Sequence, residues 1–72
     1  MEAFQKFFLW ANSDKSPSGI ESRRADEVTA GNLKFVRTEK GGIWVEQRDG
    51  SEDGFGVDIA TAKQMAIKAI SR

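Results

Sequence analysis

The sequence predicts an α+β fold: a small antiparallel β-meander of three to four strands with one C-terminal helix packed on one face. Three observations carry this. Apolar and polar residues alternate with a period of two from Leu33 to Ile59. Turn-forming clusters break that alternation at short intervals. Beyond Ile59 the apolar period changes to that of a helix. The 72 residues make one domain.

Residues 1–12 admit two readings. Phe4, Phe7, Phe8 and Ala11 fit one face of a helix, whereas Phe7-Phe8-Leu9-Trp10 is the strongest β-forming run in the chain. The run favours a strand. Residues 13–19 form a loop around Pro17, the only proline, and nearly every residue there is a turn former. Residues 20–28 hold only two large apolar side chains, Ile20 and Val28. They read either as an antiparallel partner strand or, over Ser22 to Glu27, as a helical turn.

Leu33, Phe35 and Arg37 alternate with Lys34, Val36 and Thr38. Ile43, Val45 and Gln47 alternate with Trp44, Glu46 and Arg48, and Phe55, Val57 and Ile59 with Gly56 and Asp58. Gly41-Gly42 permits the tight connection between the first two runs, because glycine accepts positive φ. Residues 20–59 are thus assigned to antiparallel strands. At the C-terminus Ala62, Met65, Ala66, Ala69 and Ile70 recur at helical spacing. Thr61 with Gln64 has the form of a capping box. The helix is placed at 61–71.

Composition excludes much chemistry. There is no Cys and no His, so disulfides, thiolate metal sites and imidazole acid–base catalysis are absent. The cysteine-free composition fits a reducing cytoplasm. A core this thin calls for reinforcement, for which oligomerisation or partner binding remains. No apolar run has the ~18 residues of a membrane span. The apolar stretch near the start has no basic leader, which argues against a signal peptide. Asp49, Ser51 and Asp53 resemble the first half of a calcium loop, but Ala60 stands where the bidentate glutamate belongs. No metal, cofactor or catalytic residue is assigned, and the expectation is a protein that is not an enzyme.

Net charge is zero, with eleven basic and eleven acidic residues. Such a balance gives no broad electrostatic footprint for nucleic acid. Residues 41–60 are locally acidic; residues 61–72, with Lys63, Lys68 and Arg72, are basic. The side chains toward the helix, from Leu33 to Ile59, suffice for a core. Val36 and Trp44 then face the other way, and a strand at residues 7–11 adds Phe8 and Trp10 to the surplus. Phe8, Trp10, Val36 and Trp44, with Arg48 on the Trp44 strand face, are the candidate partner-binding residues; exposed aromatic patches mark interfaces. The leading reading is docking on a larger protein, with a homodimer as a further form of association. The alternative is a small nucleic-acid-binding domain that stacks bases on Trp44, with Arg23, Arg24, Lys34 and Arg48 supplying charge.

In format the chain resembles small phage-encoded inhibitors of host proteins, such as anti-CRISPR proteins and inhibitors of host RNA polymerase. Size and composition carry that likeness, and no motif does. It implies an inhibitor or regulator that docks on a larger host protein.

Overall fold

The computed structural model describes residues 1–71, and of Arg23 the backbone alone. The elements run α1 (Ala3–Ala11), β1 (Ile20–Arg24), β2 (Glu27–Ala30), β3 (Leu33–Arg37), β4 (Ile43–Gln47), β5 (Phe55–Val57) and α2 (Ile59–Ile70). The strands form one antiparallel sheet in sequence order, β1 to β5. The α+β class and the meander stand. The sheet has five strands rather than three to four, and two helices rather than one cover it.

The N-terminal run is a helix, not a strand. Its face Phe4, Phe7 and Ala11 is buried in the core shared with α2, and Phe8 packs partly against that core. Tertiary burial overrides the β propensity of the Phe7–Trp10 run. Phe7 meets Phe35 with ring centroids 4.9 Å apart, Phe4 lies edge-on to Phe7, and Trp10 stacks on Phe7 from the outside. The helix stops where turn formers take its last carbonyls. Asn12 donates from both its backbone N–H and its side chain to Phe8, the Ser13 hydroxyl donates to Trp10, and the Ser16 hydroxyl to Ala11.

The other end of α1 is clamped to the β3–β4 turn. The Phe4 N–H donates to the Gly41 carbonyl at 2.9 Å, and Arg37 grips the Glu2 carboxylate through two nitrogens, the Nη2 bond measuring 2.9 Å. Gly41 has φ +83°, and a β-carbon there would overlap Glu2. The open reading of residues 20–28 resolves as a hairpin: Ile20 opposes Ala30 and Arg24 opposes Glu27, with an irregularity between Glu21 and Arg24. The helical turn at Ser22 to Glu27 is not formed.

The α2 stripe is as expected at Ala62 and Ala66, both fully buried; Met65, Ala69 and Ile70 are half-buried. Its start differs. Asp58 is the N-cap and accepts the Thr61 N–H at 2.8 Å, so Ile59 opens the helix instead of ending a strand. Asp58 lies three residues before Thr61, and a carboxylate satisfies that N–H in charge-assisted form. The Thr61–Gln64 box is displaced. Small residues on the α2 face permit close approach: at Gly31, φ +57°, a β-carbon would stand 2.6 Å from the Ala69 carbonyl oxygen.

Two predictions follow from these clamps. Gly50 has a comparable φ of +72° but open space around it. Gly50→Ala should therefore cost only left-handed strain, about 1 kcal/mol. Gly31→Ala must also push α2 away, and should cost more than about 2 kcal/mol in urea unfolding. Equal costs would mean that the end of α2 does not bear on the β2–β3 turn. The Arg37 hydrogen bonds hold the Glu2 carboxyl below its usual pKa. A depressed folded-state value stabilises above the ordinary carboxylate range and is lost as pH falls through the folded value. The melting temperature of wild type should exceed that of Glu2→Gln at neutral pH, with the gap closing on acidification.

Candidate interaction face

Both helices pack on the same side of the sheet, with Phe35, Ile43 and Val45 beneath them. The other side has no covering element. Cross-strand partners share a face, so the register fixes what that side presents. One row reads Glu21, Thr29, Lys34 and Glu46; the next reads Arg24, Glu27, Val36, Trp44 and Gly56. Thr29 is buried at the centre of its row. Val36 is half-buried, and Trp44 keeps 38% of its surface exposed.

Glycine shapes the seat of Trp44. Its cross-strand partner is Gly56, and a β-carbon on Gly54 would collide with the indole Nε1. The indole therefore leans across β5 onto bare backbone. A glycine within a strand often marks such an approach, and an aromatic opposite it restores the missing packing. In the sequence Gly54-Phe55-Gly56 carries no local link to Trp44; the link is the pairing register, which sets Gly56 directly across the ladder from it.

The predicted partner-binding residues do not assemble into one patch. Val36 and Trp44 are direct cross-strand neighbours on the open face. Phe8 and Trp10 lie on α1, on the opposite side of the sheet. Both are half-buried, and Trp10 is occupied between Phe7 and Lys63, whose Nζ lies 5.5 Å from the ring centroid. The surplus argument had placed them with Trp44 by reading residues 7–11 as a strand. Arg48 also departs from the patch. It follows β4, about 13 Å along the chain from Trp44, and its guanidinium donates to the Gly31 carbonyl at 3.1 Å. The Arg23 side chain, counted with the cations of this face, and Arg72 lie outside the described residues. Phe55, assigned to the core, is exposed because β5 is a three-residue edge strand that the helices barely cover.

The electrostatics of the open face are mixed and lean acidic. Glu21, Glu27 and Glu46 share it with Arg24 and Lys34, and Lys34 is spent on Glu46 at 3.9 Å. Glu52 and Asp53 directly precede Gly54, where the indole rests. Three carboxyls are held below their usual pKa: Glu2 by Arg37, Asp58 by the Thr61 cap, and Asp49 by hydrogen bonds from Ser51. Such groups stay ionised at neutral pH, the reverse of a general acid. The Asp49 carboxylate closes its own turn on the Ser51 N–H at 2.9 Å. Among the described residues no helix is long and apolar enough to cross a membrane.

No protein-family model, curated protein or solved structure matches the chain.

The indole seat is testable alone. In a Trp10→Phe background only Trp44 fluoresces. Gly54→Val should lift the indole into water and shift its emission to the red; an unchanged spectrum would mean that the ring does not rest on Gly54.

Proposed function

We propose that this chain is a non-enzymatic binding module that docks on a larger protein through the open face of its sheet, with Trp44 as the anchor and Val36 beside it. The single observation that supports this is a tryptophan with over a third of its surface in water, on the strand next to the β5 edge of a sheet face that no element among the described residues covers. Its backbone seat holds the ring in place before any partner arrives, which lowers the ordering cost of binding. Tryptophan is among the residues most enriched at binding hot spots.

Protein is favoured over nucleic acid by charge. Phosphate contacts demand a surplus of cations, whereas among the described residues this face sets Glu21, Glu27 and Glu46 against Arg24 and Lys34, with Lys34 lying 3.9 Å from Glu46. The finer proposal, an inhibitor or regulator of a host protein such as RNA polymerase or a defence complex, rests on the format of the chain. The cytoplasm is the proposed setting, in keeping with the cysteine-free sequence.

Affinity capture from the native source, with and without nuclease, tests this reading against Trp44→Ala. The variant should keep its helical signal and most of its melting temperature while binding the captured protein roughly 30-fold more weakly, the equivalent of a 2 kcal/mol hot spot. Binding should survive nuclease and barely respond to salt. An unfolded variant would make Trp44 a core residue and remove the basis for the proposal. Loss of the captured material on nuclease treatment would favour the stacking alternative.

A further inference from the structure

On the helix side a trough runs between α2 and the ends of β3 and β4, reaching the β4–β5 loop at one end. Met65 of α2 and Leu33 and Gln47 of the strands line its centre. At one end it opens into a recess of about 270 Å³ bordered by Lys68. At the other stand Phe55, Glu52 and Asp53. Phe55 is 53% exposed, a phenyl ring at the mouth of a channel of mixed lining.

The two ends carry opposite charges. One offers a protruding ring with two carboxylates, the other a hollow with an ammonium. A cavity of about 150 Å³ suffices for a benzene ring, so the recess has room for a phenyl side chain. A surface whose ends complement each other across its middle meets the condition for a two-fold contact, in which residue i meets j and j meets i.

We propose that a second copy of this chain occupies the trough. The two-fold axis passes near Met65. Each copy seats its Phe55 in the partner copy's recess, and each Lys68 faces the other copy's Glu52 and Asp53. The Asn32 side chain donates to Gln47 Oε1 at 3.0 Å, so these two amides are already paired at the rim. The dimer leaves Val36 and the open face over β1 to β3 free, while its acidic end borders Glu46 and the Gly54 seat of Trp44. It does not depend on the docking role of Trp44.

Sedimentation equilibrium of the full chain, over a concentration series to about 1 mM, should show a monomer–dimer equilibrium. Phe55→Ser should weaken it at least 10-fold with the circular dichroism melt retained. Charge exchange tests the geometry at exposed positions. Lys68→Glu alone, and Glu52→Lys with Asp53→Lys, should each be impaired, since like charges then meet twice. Mixing the two variants should restore a heterodimer, because opposite charges meet at both ends. A wild-type chain that stays monomeric throughout the series overturns the proposal, even if the trough binds some other protein. So does a mixture of the two charge variants that fails to associate while wild type dimerises.

Discussion

The contact between Phe7 of α1 and Phe35 of β3 ties the first element of the chain to the middle strand of the sheet, and the remaining architecture is arranged around it. Both rings are fully buried, and α2 lies alongside with alanines at its deepest positions. Large rings on one helix and methyl groups on the other let two helices share one sheet face. A bulkier α2 face would lift that helix from the β2–β3 turn, where Gly31 already touches the Ala69 carbonyl region. The cost of placing both helices together is an uncovered second face. There Trp44, Val36 and the half-neutralised charges meet water, so the feature taken as the docking site follows from how the core is built.

Much of this was legible in the sequence, for reasons that differ by element. Strands β3 and β4 alternate cleanly because one side is core and the other is open, which is the condition under which period-two patterning is strongest. That same parity placed Val36 and Trp44 together. The α2 stripe was legible because its spacing repeats over two turns, although the cap was misplaced: Asp58 and Thr61 are both good caps, and nothing local decides between them. The β1–β2 hairpin was obscured because its small or polar residues, Thr29 and Ala30, are buried by their central position rather than by hydrophobicity.

The larger misreading concerned α1. Four consecutive apolar residues fit a strand or a helix equally, and the deciding fact is Phe35, 28 residues further on. With that choice went the site. Phe8 and Trp10 moved to the opposite side of the sheet, and the supposed four-residue aromatic patch became a pair. The trough was beyond any local pattern, since it joins α2 to the ends of strands that are distant in sequence. Phe55 alternates correctly with Gly56, yet it is exposed because an edge strand of three residues has no neighbour to shelter it.

The strands pair only with their sequence neighbours, so each hairpin needs little chain to close. The exception is α1 with its N-cap Glu2, whose partners at Phe35, Arg37 and Gly41 lie between 28 and 37 residues downstream. During synthesis at ~5–20 residues per second, this helix leaves the ribosome seconds before those partners do. Until then its three phenylalanines and its tryptophan have only β1 and β2 to pack against. Within these residues a segment made early thus completes its burial late, and part of its apolar surface stays open throughout that interval.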